Sequence, residues 1–418
     1  MLRAALRSKS LANIGKLTGA TLIGQVLNLL AAPVLSRLYT PADFGKLSLF
    51  LSFIMLVSPI ATWRLELSLV NLKGTREKVN LTLTAFGISL AMSVMCTVLF
   101  GGLISGSFFG YGILDWWNIP IVFITLLSFA IFSIMRYWVL QEGNFSTLSA
   151  LELRKNIGRV IIQVGGGFIG PSYIGLIVGE AAGRMLGTNK LLKGRVKVFK
   201  AGFRNYDKST FLTTIQRNSD YYKYAIVSTL INSLSITLPI PFIISVYGTQ
   251  YGGYFSLVQK TLAVPIVFIG NALADVFHHK MASKGNINRN FNRTFLLLAA
   301  VGIGPTLVIT FWGENLFAVL FGAEWRIAGT AASRMALWSF CSLCIIPLSR
   351  IVFVFNGQKS KLFYDLVSLL LSVSVFAAAF YLKWPFVTFI TWLGFAWTVS
   401  YIVYFFVLKK IIQANTTR

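Results

Sequence analysis

Long apolar runs broken by short polar punctuation fill almost the whole of this 418-residue chain. Twelve runs reach the roughly 20 residues that a helix needs to cross a bilayer. They cover about 18–36, 44–70, 79–104, 117–140, 147–169, 172–192, 224–246, 254–277, 294–312, 330–355, 362–382 and 385–408. None shows the alternating ~10-residue segments of a membrane barrel strand. The pattern predicts an all-α, polytopic membrane protein of twelve transmembrane helices.

The punctuation repeats. The stretch PVLSRLYTPADFGKLSL, Pro33 to Leu49, has a counterpart 208 residues later in PFIISVYGTQYGGYFSL, Pro241 to Leu257. At that offset Thr21-Leu22-Ile23 matches Thr229-Leu230-Ile231, Pro33 matches Pro241 and Tyr39 matches Tyr247. Gly45, Ser48 and Leu49 then match Gly253, Ser256 and Leu257. Thr40 before Pro41, with Asp43 three residues on, reads as a capping box at the start of the second helix. Gly45 and Gly253 would let helices approach closely. The reading is two related six-helix lobes, residues 1–192 and 224–418, joined by a basic cytoplasmic linker at 193–223. Duplicated lobes of this size suit a transporter that exposes a site between them to each side in turn.

Composition agrees with a membrane protein: 56% of residues are apolar and 12% charged, with a mean hydropathy of +0.71, too apolar for a soluble domain. The net charge of +25 would suggest nucleic acid if it were evenly spread. Placing the N-terminus in the cytoplasm puts 29 of the 38 Lys and Arg on that side and only Arg37, Lys46, Arg326, Arg334 and Lys383 outside. The positive-inside rule then predicts that both termini are cytoplasmic, and the basicity reads as topology with no nucleic acid as partner. The first apolar run lacks a small-residue cleavage site, so an uncleaved first helix is expected. Lys190 to Lys223 carries nine basic residues against Asp207 and Asp220, which suits a linker lying on anionic headgroups of the membrane lipids. Cys96, Cys341 and Cys344 fall within apolar runs and read as packing residues. His278 and His279 are the only histidines, so spacing assembles no metal site, and no cofactor is implied.

Candidate chemistry lies in charges within the apolar runs, each costing roughly 2.5–3.5 kcal/mol if it faced lipid at mid-depth. Glu180 and Arg184 stand at i,i+4 and predict a local pair. Lys155, Arg159, Arg350 and Arg334 fall near predicted helix ends, where long side chains reach headgroups. Arg64, Arg136, Arg154 and Lys260 are harder to explain this way, although Glu66 stands near enough to neutralise Arg64, and they predict a cationic chamber suited to an anionic substrate. Glu66, Asp275 and Asp365 are the carboxylates placed to change charge if transport is coupled to H+ or Na+.

The runs RLYTPADFGKLSLFLSF and ATWRLELSLV resemble the opening of bacterial O-antigen flippases, the polysaccharide-transport family of the multidrug, oligosaccharidyl-lipid and polysaccharide exporter superfamily. YGGYFSLVQKTLAVPIVFIGNALADVF is similar to that family's eighth helix, and FGAEWRIAG with PLSRIVFVFNGQKSK to its tenth-helix region. The resemblance implies two six-helix lobes around a cationic cavity. It implies movement of oligosaccharide repeat units on undecaprenyl pyrophosphate from the inner to the outer leaflet of the cytoplasmic membrane, by alternating access coupled to an ion gradient, alongside other polysaccharide assembly proteins. By position it implies roles for Arg64 with Glu66 and for Lys260, while Arg136 and Arg154 rest on burial alone. A cation-drug antiporter of the same fold would favour an acidic chamber. A polymerase or ligase would carry a substantial extracytoplasmic loop, and the longest outer segment here is about 313–330.

Overall fold

A computed structural model describes residues 19, 23–72, 74–170, 172–204, 206–219, 226–270, 287–355 and 357–416. Among these residues all regular structure is helical, and the described part of each of the twelve predicted runs is mostly helix, with breaks in several. Eight described helices are long and apolar enough to cross a membrane. The chain divides into two compact units: Met1–Tyr39 with Lys46–Ser233, and Thr40–Gly45 with Leu234–Arg418.

Unit 1 contains α1 (Ile23–Leu38), most of α2 (Pro41–Thr62), α3 (Thr75–Ser105), α4 (Asn118–Gln141), α5 (Phe145–Ile169), α6 (Tyr173–Arg204) and α7 (Lys208–Arg217). The single run expected over 44–70 is interrupted. Trp63 and Arg64 adopt left-handed backbone conformations (φ 51° and 57°), uncommon for residues with a side chain. The chain continues as a 3-10 turn, Leu65–Asn71. The redirection brings Leu65 and Leu69 into a core with Leu81, Ala85, Ile134 and Met135. α6 runs beyond the expected end at 192 to Arg204, so at 1.5 Å per residue its 32 residues exceed the ~30 Å of hydrocarbon. Phe199, on this extension, packs edge-on against Phe86 and Trp138. Asp207 caps α7 by accepting from the Thr210 amide and hydroxyl, and those bonds hold its carboxyl below the usual carboxylate range.

Unit 2 contains α8 from Leu234 onward (the helix is Ile226–Thr237), α9 (Pro239–Tyr247), α10 (Thr249–Pro265), α11 (Ile287–Phe321), α12 (Arg326–Ile345), α13 (Gln358–Tyr381) and α14 (Phe386–Thr416). The run expected over 224–246 is parted between α8 and α9 at Leu238, where Pro239 and Pro241 remove amide donors. The run expected over 330–355 loses its α form at Pro347, in the 3-10 turn Ile346–Arg350. α11 and α12 pack as a hairpin, with α14 against α12. Phe291, Leu298, Leu348, Ile351 and Leu408 form the fully buried centre of one core cluster.

The expected capping box is present: the Thr40 amide donates to Asp43 Oδ2 (3.0 Å) and the Asp43 amide to Thr40 Oγ1 (3.2 Å). α2 and α10 begin 208 residues apart. Within unit 2 a Cβ on Gly45 would lie 2.0 Å from the Thr249 carbonyl oxygen, and one on Gly253 1.8 Å from that of Pro41. Each repeated glycine thus rests on the first peptide of the other repeat's helix, a separation only glycine permits.

A candidate anion site inside unit 1

α5 carries a polar stripe, Glu152, Lys155, Asn156, Arg159 and Gln163, at spacings of one, three and four residues that keep it on one face. α6 answers with Gly179-Glu180 and Gly183-Arg184, followed by Gly187. A Cβ on Gly183 would lie 2.7 Å from the Lys155 carbonyl oxygen, and one on Gly187 3.1 Å from that of Leu151. These small residues bring the two helices together. The adjacent Glu180 and Arg184 are thereby set beside the stripe on α5.

The result is two buried carboxylates holding four cations. Glu152 accepts from Arg136 Nε at 3.0 Å on one oxygen and from Lys155 Nζ on the other. Glu180 accepts from Arg159 Nη1 at 2.9 Å on one oxygen and from Arg184 Nη1 at 2.8 Å on the other. Phe132 and Phe129, one turn apart on α4, lie under Lys155 and Arg184, each 4.6 Å from ring centre. Every carboxylate oxygen is engaged, yet two positive charges remain in excess. Shared ion pairs of this kind avoid the large cost of an uncompensated buried charge.

A cavity of about 220 Å³ is lined by Glu152, Lys155, Asn156, Arg159, Glu180 and Arg184, together with Gln25 and Asn28 of α1. Asn28 Nδ2 donates to Asn156 Oδ1 (3.1 Å), and Asn156 Nδ2 donates to the Glu152 carbonyl (2.9 Å). Gln25 Oε1 is buried without a hydrogen-bond partner.

The residues expected from the sequence are distributed more widely. Arg136 joins the cluster through Glu152. Arg64 reaches Glu66 at 3.5 Å and donates to Thr229 Oγ1 at 3.2 Å; Glu66 is buried, with Oε2 unpartnered. Arg154 is exposed on α5 beside Lys155. Lys260 is exposed on α10 in unit 2. Asp365, in the same unit, is buried and paired with Lys361 at 2.6 Å. Asp275 lies outside the described residues. The Glu180–Arg184 pair forms as its spacing predicts. Lys155 and Arg159, expected to reach headgroups, turn inward instead because Glu152 and Glu180 give each a buried counter-charge. The missed signal was the stripe on α5 together with a charged residue following two of the glycines in GEAAGRMLG. Among the described residues no three His, Cys, Asp or Glu converge as a metal site.

The fold is shared with solved transporters. The lipid II flippase MurJ, in an inward closed conformation, superposes with a TM-score of 0.75 at 14% identity, covering 95% of this chain and 89% of that one. An inward-facing multidrug resistance MATE transporter of the MOP superfamily gives 0.70 at 13% identity, over 94% and 96%. A MOP superfamily transporter from Pyrococcus furiosus, described as having a binding pocket of reversed polarity, gives 0.62 at 13% identity, over 96% of each chain. No curated protein matches the sequence. The chain is thus a multi-pass membrane protein with the MOP-superfamily fold, whose solved examples here are transporters and a flippase, not enzymes. Residues 34–328 match the polysaccharide biosynthesis protein family, and the chain belongs to that family.

Proposed function

We propose that the chain is a flippase of the bacterial cytoplasmic membrane, carrying oligosaccharide repeat units linked to undecaprenyl pyrophosphate from the inner to the outer leaflet by alternating access. The observation that carries this reading is the cationic surplus inside unit 1, four cations around two buried carboxylates. A diphosphate crossing ~30 Å of hydrocarbon needs replacements for its water, and charge-assisted donors, arginine forks above all, supply them. The family match adds the link to polysaccharide assembly. Arg64, Arg136, Arg154 and Lys260 serve the same charge along its path, with Lys155, Arg159 and Arg184 holding it within unit 1. A proton or sodium gradient drives return, through Glu66, Asp275 or Asp365. Twelve helices cross the membrane, with both termini in the cytoplasm. A cation-drug antiporter would place the opposite charge in this position.

The test is deletion of the gene, identification of the lipid-linked glycan retained in the inner leaflet, and complementation at matched expression. Arg159→Gln with Arg184→Gln, made in a Glu180→Gln background so that no carboxylate is left alone, removes charge-assisted bonds of about 1.5–3 kcal/mol each. Surface polysaccharide is expected to fall at least about tenfold relative to wild type. Full restoration by this triple variant would overturn the reading.

A further inference from the structure

Unit 2 carries an open concavity of about 730 Å³ along the first turns of α11, lined by Asn288, Arg289, Asn292, Arg293, Leu296 and Leu297. We infer that it binds one anionic glycerophospholipid of the inner leaflet, with the arginines and asparagines on the headgroup and the leucines against the first methylenes of its chains.

The pattern along the helix sets the lipid's orientation. Asn288, Asn292 and Leu296 follow one line along α11 at spacings of four, and Arg289, Arg293 and Leu297 the next. Both lines pass from polar to apolar within three turns. Beyond them the outward surface stays apolar through Val301, Leu307 and Val308 to Phe311 and Trp312, all exposed. From Leu296 to Trp312 the rise is about 24 Å, most of the ~30 Å of hydrocarbon. Of the eight described helices long and apolar enough to cross a membrane, α11 is the least enclosed, with 17% of its apolar stretch buried. Arginines at one end and an interfacial tryptophan at the other fit the two headgroup layers, and the basic end is the cytoplasmic one.

Charge selects the headgroup. None of the described lining residues is a carboxylate, and the only carboxylate of α11, Glu314, stands near its far end. Phe291 and Phe295 meet Phe405 of α14 at centroid distances of 5.6 and 5.0 Å, and Lys409 lies over the same ring at 5.2 Å. A third cation therefore stands at this end of unit 2. Phosphatidylcholine brings its own cation, which finds positive groups here and no counter-charge among the lining residues. An anionic headgroup meets no such conflict. Arginine forks grip its phosphodiester through paired N–H donors, and the asparagine amides add further donors. A free phosphate uses the cations but leaves the leucine wall uncovered, whereas a lipid matches both.

The experiment uses the detergent-purified full chain, with phosphatidylglycerol, phosphatidylcholine, undecaprenyl phosphate and glycerol 3-phosphate as titrants. Native mass spectrometry reads affinity, and hydrogen exchange reads the place. Phosphatidylglycerol is expected to bind at least about tenfold tighter than phosphatidylcholine, at about fivefold per arginine, and to slow exchange over 287–297, where the helix start frays. Arg289→Gln with Arg293→Gln should abolish both the preference and that protection. Should the double variant not fold, Arg293→Gln alone is expected to cost about fivefold. Leu296→Asn with Leu297→Asn should weaken both phospholipids alike, and glycerol 3-phosphate should leave 287–297 unprotected. The proposal is overturned if the arginine variant keeps the preference, or if phosphatidylglycerol protects only other segments. It is overturned equally if glycerol 3-phosphate protects 287–297 as well as the lipid does, which marks a free-anion site, or if undecaprenyl phosphate displaces phosphatidylglycerol there, which marks a stop on the substrate's path. No residue of unit 1 is changed, so the flippase reading stands under each of these results.

Discussion

Glu180 is held by arginines from two helices, one turn away on α6 and across the interface on α5. The residue spacing shows the first of these bonds but not the second, because i,i+4 geometry is local to one helix and says nothing of which faces meet. That is why Glu180–Arg184 was legible in the sequence while Arg159 was assigned to headgroups. Both bonds are costly to break, because Glu180 and its two arginines are largely buried. Removing one partner of a buried pair costs of order 3 kcal/mol, chiefly because the other charge is left alone. Glu180→Gln, which strands both arginines, is therefore expected to lower the thermal unfolding midpoint of the detergent-purified protein, and Arg159→Gln to lower it by less, because Glu180 keeps Arg184. The double variant should lose less than the sum of the two, since the Arg159–Glu180 bond is lost only once and Arg184 alone is left without its carboxylate. Additive losses would show that the two side chains do not depend on each other.

At the scale of the element, two helices are brought to contact by glycines, and the site follows from the closeness. Gly183 faces the Lys155 carbonyl and the backbone of Arg159, so Gly183→Ala must push α6 away from α5 and spread the cations around Glu180. Gly87, on α3, has open space where its Cβ would go, and Gly87→Ala removes a glycine from a helix interior where alanine is better by about 1 kcal/mol. The expected outcome is a lowered unfolding midpoint for Gly183→Ala and an unchanged or raised one for Gly87→Ala. Loss of phosphate binding should accompany the first only. An undisturbed midpoint for Gly183→Ala would mean that α6 does not need this approach. Apolar run length and proline position made most helices readable, whereas the left-handed turn at Trp63 and Arg64 was not, since neither residue type marks such a conformation.

Across the whole molecule, the offset of 208 residues was visible in a handful of identities, and the contacts made by the matched residues give it physical content. In unit 1 the Tyr39 hydroxyl donates to the Gln163 carbonyl (2.7 Å), in the helix that leads into the α5–α6 hairpin. In unit 2 the Tyr247 hydroxyl donates to the Trp384 carbonyl (3.0 Å), in the turn of the α13–α14 hairpin. Each tyrosine follows or ends the helix that precedes the repeated break, and each secures the last hairpin of its own half. Tyr39 is buried, whereas Tyr247 is only part-buried beside Phe386 and Phe389. The residual carbonyl is therefore drier in unit 1, and an unmade bond there costs more. Tyr39→Phe is expected to lower the unfolding free energy by about 1–2 kcal/mol and Tyr247→Phe by about half that, with the two effects adding, as they do for sites without shared contacts. Hydrogen exchange followed by mass spectrometry distinguishes the two losses. Tyr39→Phe should loosen 163–176 and leave 378–390 protected, and Tyr247→Phe should do the reverse. If either substitution loosened both hairpins alike, the tyrosines would not be serving one hairpin each, and their match at an offset of 208 would carry no structural meaning.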